Sequence, residues 1–454
     1  MNPSRTTALA GAWLLTVATA ASAASADSGS LPWSDPGDLP LALWAKSVAP
    51  AKDEVPIFTM PNRTDPRRGT LGVGARPPLY GALRGSGCGG RWLLIGPFAW
   101  VCSDEADASG DEPRPPAFGI AGPFASLPAQ RTDDGLAFRH YFVGPEGASG
   151  FRDLAHAEED SPEVDFEPGF AVAIAEEQNG HGERWGKTRH GMWVALRQLN
   201  AAHPTTLHGE RLDDSPPGEA ISVAWVLPEH ATTYADAAGT KRAGVRLRFD
   251  VIHWHQETGH QEKGHEEKGT LAAKMVRISD DGAEPAEWMH AHDLAHPTIA
   301  EPPAEVGGRG ATERWIDVDL STQTLVAYEG TKPAYAALVS AGRGAQGTET
   351  ATPIGVHRIW VKLLATTMDN LENEDVENHY SIEDVPYVQF FAKGAALHGT
   401  FWHRRFGAPH SHGCVNLSPV DARWLFDFTA PHLLAGWSAA LPVRTEPGTV
   451  VRVR

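Results

Sequence analysis

Ser411-His412-Gly413-Cys414-Val415-Asn416 sets an imidazole, a glycine and a thiol side by side, and His398-Gly399-Thr400 stands a short way upstream. A free thiol has a pKa of about 8.5 and attacks carbonyls as thiolate, so a catalytic cysteine needs a nearby base or cation and backbone N–H groups for the oxyanion. The stretch offers both. Cys414 follows His398 by 414 − 398 = 16 positions, and Gly399, Gly407, Pro409 and Gly413 between them let the two groups fold back on each other. A lone cysteine in a glycine-flanked loop is more often an inert buried thiol than a nucleophile. The neighbouring histidines reverse that balance. His398 is the better base, because the side chain of His412, two positions before the cysteine, need not face it.

Thr352-Pro353-Ile354-Gly355, Ser381-Ile382-Glu383-Asp384-Val385-Pro386, Asn416-Leu417-Ser418-Pro419 and Asp421-Ala422-Arg423-Trp424-Leu425 surround this pair. From Arg314 to Arg454 the sequence resembles the L,D-transpeptidase (YkuD-type) catalytic domain. The signature of that family is a His-Gly, a spacer, then Ser or Thr followed by His-Gly-Cys, one variable residue, and Asn or Arg. The resemblance implies a β-sandwich with the cysteine on a loop at its rim, and peptidoglycan stem peptides as the partner. It also implies a two-step acyl transfer. Cys414 attacks a stem tetrapeptide and D-Ala leaves; His398 moves the proton, oriented by the Gly399 carbonyl. His412 stabilises the thiolate or shapes the site, and the N–H groups of Gly413 and Cys414 are the oxyanion candidates. An amine acceptor gives a 3→3 crosslink, whereas water gives L,D-carboxypeptidase activity. Ser411 and Asn416 are expected at the substrate. Many relatives carry Arg where this chain has Asn416, so a substrate carboxylate is left to Arg404 or Arg405. No cofactor is implied.

The chain has three cysteines. Cys88 and Cys102 lie close enough in sequence to form one disulfide, leaving Cys414 as the odd thiol; alternatively both are buried and reduced. Residues 1–26 read as a secretory signal peptide. Arg5 precedes an apolar run from Ala8 to Ala21, and Ala21-Ser22-Ala23 or Ala24-Ser25-Ala26 offers a cleavage site. A secreted, monomeric protein of the periplasm or cell wall is therefore expected, with no membrane span. Lys and Arg number 39 against 57 Asp and Glu, a net charge of −18 that argues against nucleic acid as a partner.

The 46 glycines and 35 prolines, with short Val-, Ile- and Trp-bearing segments, predict a mainly β protein. Three stretches read as strand, turn, and strand with Trp: Arg91 to Val101, Arg184 to Leu199, and Lys274 to Leu294. They look like the C-terminal hairpin of bacterial SH3-like modules, small β-barrels expected at 51–105, 129–205 and 219–297. Residues 27–50 are expected as a flexible tail, 298–312 as an extended, mobile linker, and 313–454 as the catalytic domain. A non-enzymatic wall-binding protein is the competing reading.

His253-Trp254-His255 with His260 and His265, and His290 with His292 and His296, could suggest metal, but the repeat around Gly259 to Gly269 reads better as a solvated loop, and no metal site is assigned. The acidic run Asp369, Glu372, Glu374, Asp375 and Glu377 likewise reads as solvated. Trp315-Ile316-Asp317-Val318-Asp319-Leu320 alternates apolar and acidic residues, which predicts a sheet with one wet face. Ser418-Pro419 reads as the N-cap and first position of a helix running to Ala430 behind the site.

Overall fold

In a computed structural model the described residues are 41, 44–113, 134–180, 182–212, 221–253, 275–279, 286–307, 312–371, 379–434 and 436–454. The expected signal peptide, most of the tail, the 259–269 repeat and residues 372–378 of the acidic run lie outside them.

The first region contains β1 (Ser47–Pro50), β2 (Val55–Phe58), β3 (Arg67–Leu71), β4 (Gly81–Leu83), β5 (Trp92–Gly96), β6 (Ala99–Cys102) and β7 (Ala106–Ser109). β1 takes the last four residues of the segment expected as a tail, because pairing with β7 buries Val48. Cys88 and Cys102 are joined by a disulfide. The second region contains β8 (Arg139–Val143), β9 (Ala148–Gly150), α1 (Leu154–Glu158), β10 (Val164–Phe166), β11 (Ala171–Gly180), β12 (Glu183–Thr188), β13 (Trp193–Ala195) and β14 (Leu199–Ala201). A short strand, β15 (Glu210–Arg211), follows. The third region contains β16 (Val223–Val226), β17 (His230–Tyr234), β18 (Arg242–Leu247), β19 (Val251–His253), β20 (Met275–Arg277), β21 (Trp288–His290) and β22 (Leu294–Ala295).

Each tryptophan-bearing stretch forms antiparallel strands: β5 with β6, β12 with β13, and β20 with β21. Among the described residues, however, no sheet closes into a barrel. Two of the regions instead reach the C-terminal domain through strand pairing. That domain contains β23 (Arg314–Asp319), β24 (Thr324–Glu329), β25 (Lys332–Leu338), β26 (Gly355–Arg358), β27 (Val361–Asp369), β28 (Ser381–Ala392), β29 (Ala395–Gly399), β30 (Val415–Leu417), α2 (Pro419–Phe428), β31 (Trp437–Ala440) and β32 (Val450–Val453). β3 pairs with β31, and β11 meets β28 at Ala171 and Ile382. These edges are satisfied by the neighbouring domain rather than by closure.

One catalytic-domain sheet runs β15-β25-β24-β23-β32-β26, while β27, β28, β29 and β30 belong to the other. Ile316, Val318, Leu325 and Val339 from the first side meet Leu364, Tyr387, Leu397 and Val415 from the second, and α2 contributes Ala422, Leu425 and Phe426 to the same core. The Ser418 hydroxyl accepts from the Asp421 N–H at 3.2 Å and Pro419 opens the helix, as the sequence predicts. The helix ends at Phe428, two residues short of Ala430. There the buried Lys362 ammonium donates to the Phe426 and Thr429 carbonyls, satisfying groups that the helix terminus leaves without intrahelical donors.

The wet face predicted for β23 is dry. Asp317 and Asp319 are buried, and Arg452 and Arg454 of the adjacent strand and C-terminus neutralise them, Arg452 Nε lying 2.6 Å from Asp317 Oδ1 and Arg454 Nη1 2.8 Å from Asp319 Oδ2. The same two arginines hold the start of the expected linker, through Glu301 O at 2.8 Å and Thr298 Oγ1 at 2.7 Å. Residues 298–301 thus lie along the sandwich instead of swinging away from it. Upstream, Gly209 gives its N–H to Asp421 Oδ1 at 2.6 Å, and a Cβ there would sit 2.3 Å from the Ala336 oxygen. Only glycine allows β15 to approach β25 this closely.

Candidate active site

β29 and β30 run parallel, with Leu397 opposite Val415, His398 opposite Asn416 and Gly399 opposite Leu417. Side chains alternate along a strand. Leu397, Val415 and Leu417 enter the main core, so His398 and Asn416 point to the other face. Cys414, one residue before β30, packs on that second face against a cluster containing Ala396 and Phe401. The register therefore sets His398 on β29 and Cys414, just before β30, on the same face of the strand pair.

Gly413 shapes the turn before the thiol. Its φ is +123°, and a Cβ would meet the Ala351 oxygen at 3.3 Å and the Glu349 oxygen at 3.4 Å. Ser411 is buried, and its hydroxyl bridges the turn by accepting from the Gly413 N–H at 3.1 Å and donating to the Cys414 carbonyl. The Gly413 N–H thus has the Ser411 hydroxyl as its partner. Ser411 itself acts on the turn, and no contact of its side chain reaches outward among the described residues.

His398 is buried, with Nδ1 3.2 Å from the Gly399 carbonyl and its ring stacked on Trp402 at a centroid distance of 5.7 Å. Accepting that bond, the carbonyl puts the proton on Nδ1 and leaves Nε2 as the basic nitrogen. Burial pushes the imidazole pKa down to about 4, only partly opposed by the carbonyl. Dense packing also pushes the Cys414 thiol upward, although the residue keeps some exposure, while the Ala396 N–H opposes the shift. At neutral pH the resting pair is thus thiol and neutral imidazole, not a preformed ion pair.

His412 turns outward. Arg343 Nη2 lies 2.7 Å from its Nε2, and the Tyr380 ring stacks on it at 6.3 Å. Since guanidinium only donates, that nitrogen is unprotonated; burial first and Arg343 second lower the pKa of His412. Asn416, expected at the substrate, is buried and occupied elsewhere. Its Nδ2 lies 2.8 Å from His403 Nε2, and its main chain exchanges hydrogen bonds with Ser340. Arg404 and Arg405 are exposed, and the Arg405 N–H donates to His403 Nδ1 at 3.1 Å.

Arg343, His403 and Tyr380 were not singled out from sequence. His403 lies inside a stretch already noted for Arg404 and Arg405. Arg343 carried no signal, because its proximity to His412 arises only when the 340–352 loop folds onto the cysteine turn. The described residues also bring His190, Glu383 and Asp384 together, with possible ligand atoms within 4.8 Å of one another. Arg189 Nε already stands 3.2 Å from Asp384 Oδ2 and supplies the positive charge there.

Residues 313–453 match the YkuD family, the L,D-transpeptidase catalytic domain. This region is a YkuD-type catalytic domain. No curated protein matches the chain. Among solved structures, a mutant of Enterococcus faecium L,D-transpeptidase is 24% identical over 31% of this chain and 50% of its own, with a TM-score of 0.23. The catalytic domain of the Enterococcus faecium L,D-transpeptidase is 25% identical over 32% of this chain and 98% of its own, with a TM-score of 0.24. A Xylanimonas cellulosilytica L,D-transpeptidase is 21% identical over 33% and 63%, with a TM-score of 0.22. The match spans about half the length of the first of these structures. Within the YkuD domain of this chain, Cys414 and His398 lie on one face of the parallel strand pair.

Proposed function

We propose that the chain is a peptidoglycan L,D-transpeptidase with Cys414 as nucleophile and His398 as base. The observation that carries this reading is the shared face of β29 and β30, with a glycine-only turn presenting the thiol. In the first step the Cys414 sulfur bonds to the carbonyl carbon of the third residue of a stem tetrapeptide. The amide C–N bond to D-Ala breaks, and the thiol proton passes through His398 to the departing amine. In the second step the amine of another stem attacks the thioester carbonyl, gives up a proton through His398, and releases the thiol with a 3→3 crosslink formed.

Burial keeps His398 neutral at the working pH, the form whose Nε2 can accept a proton. The Cys414 N–H is the oxyanion donor in this reading, since Gly413 is engaged by Ser411. Work on peptidoglycan places the protein outside the cytoplasm, a setting that the Cys88–Cys102 disulfide also suits. Among the described residues no helix is long and apolar enough to cross a membrane.

Incubating the full chain with purified sacculi and analysing the muropeptides tests the proposal. New 3→3 dimers, absent with Cys414→Ala, support it. Tripeptide release without dimers would make water the acceptor and the protein an L,D-carboxypeptidase. Retention on sacculi with neither product would leave a wall-binding protein, and the β regions ahead of the catalytic domain would then be its working part.

A further inference from the structure

Arg343 stands beside the cysteine turn with no carboxylate partner among the described residues. Its loop is fastened to that turn by the main chain: Arg343 N–H donates to the Ser411 carbonyl at 3.0 Å, and His410 and Ser411 both donate to the Ala341 carbonyl, at 2.9 and 3.1 Å. Gly342 adds a bond to the buried Thr352 hydroxyl at 2.8 Å. The backbone position of Arg343 is therefore set by the same turn that presents the thiol. Its side chain is exposed, and one Nη2 donor is fixed on His412 Nε2 at 2.7 Å.

A guanidinium has five N–H donors in a rigid fork. One is used by His412, which leaves an edge for an anion. Arg343 and Arg405 both act electrostatically on His410, so two guanidinium charges stand near this turn, and positive charge concentrates anionic ligands locally. Asn416 cannot serve, being buried and bonded to His403.

We infer that Arg343, braced on His412, is the residue that grips the carboxylate of the leaving D-amino acid in the donor peptide. The inference rests on the proposed transpeptidase reading, in which that carboxylate lies one residue beyond the attacked carbonyl. It also gives His412 a defined part: its unprotonated Nε2 aims the fork rather than moving the reaction's proton.

The test uses the full chain, a synthetic stem tetrapeptide, and the same peptide as its C-terminal amide, with Cys414-dependent products followed by mass spectrometry. The parent is expected to favour the acid by about tenfold or more in kcat/KM, the scale of a charge-assisted fork. Arg343→Gln should erase that preference chiefly through KM and leave the amide reaction nearly as it was, while Arg343→Lys should keep part of the preference. An equal loss for acid and amide would mean that Arg343 acts only by holding the loop or His412, and would overturn the inference. Loss of the preference in Arg405→Gln but not in Arg343→Gln would overturn it as well, as would a parent that turns over both peptides alike. A parent that turns over neither peptide defeats the transpeptidase reading itself. Arg343 is exposed, so Arg343→Gln should melt with the parent; if it melts early, the partial preference of Arg343→Lys decides.

Discussion

The Asn416 side-chain amide lies 2.8 Å from His403 Nε2, and Asn416 is paired with His398 in the β29–β30 register, so the last residue of the cysteine motif ties His403 to the strand pair that carries His398. Both side chains are largely withdrawn from water, and burial pushes the His403 pKa down to about 3, helped by the nearby His410, His398 and Arg405. Asn416→Ala leaves the His403 nitrogen without its partner and opens a small void. Urea unfolding should show a loss of about 1–3 kcal/mol, the cost of an orphaned buried polar group. Because both residues belong to one contact, Asn416→Ala and His403→Ala should be non-additive in a double-mutant cycle. Additive losses would show that the two side chains do not depend on each other.

The thiol and its base make a second, independent expectation. Cys414 is shifted upward and His398 down to about 4, both mainly by burial. His398 is then neutral throughout the working range, and no thiolate–imidazolium pair accumulates near neutrality. Alkylation of Cys414 by iodoacetamide, followed by intact mass, should keep accelerating above about pH 8.5, the ordinary thiol midpoint. A rate that levels off near pH 6 would mean a preformed ion pair.

Gly413→Ala tests the turn. At φ +123° an alanine is strained, and its Cβ would press on the Ala351 and Glu349 carbonyl oxygens. Strain of this kind costs about 1–3 kcal/mol. The substitution should lower the unfolding midpoint and slow acylation of Cys414 by a stem peptide. Full acylation at parental rate would show that the turn is not what presents the thiol.

How far sequence could reach is clear from particular residues. Local chemistry was legible: the Ser418-Pro419 helix start and the paired strands of the tryptophan-bearing stretches depend on residues near in sequence. What escaped depended on distant partners. Asp317 and Asp319 read as solvent-facing because alternation cannot show that Arg452 and Arg454 will cover them. Arg343 escaped for the same reason, its place beside His412 being set by a loop that folds back over dozens of intervening residues. Strand edges are beyond local reading: hairpins are local, but the joining of β3 to β31 and of β11 to β28 is decided by the whole assembly.

Asp421 offers the sharpest pH test of that assembly. It is buried in the first turn of α2, where one oxygen, Oδ1, receives both the Tyr335 hydroxyl at 2.7 Å and the Gly209 N–H at 2.6 Å, tying β15 to the catalytic domain. Its other oxygen, Oδ2, has no hydrogen-bond partner among the described residues. Burial outweighs the Tyr335, Gly209 and Ser418 donors and His208 and raises the carboxyl from 3.8 to about 6. A group whose folded pKa is raised contributes stability fully below its unfolded value, and that contribution is lost as pH climbs through the folded value. The ionised form at neutral pH should therefore cost on the order of 2–3 kcal/mol. Asp421→Asn keeps an acceptor oxygen for Tyr335 and Gly209 but cannot ionise. Unfolding free energies measured from about pH 4 to about pH 7 should show the parent losing ground to the variant across that window, and a difference that is flat with pH would mean that Asp421 keeps an ordinary carboxylate pKa in the fold.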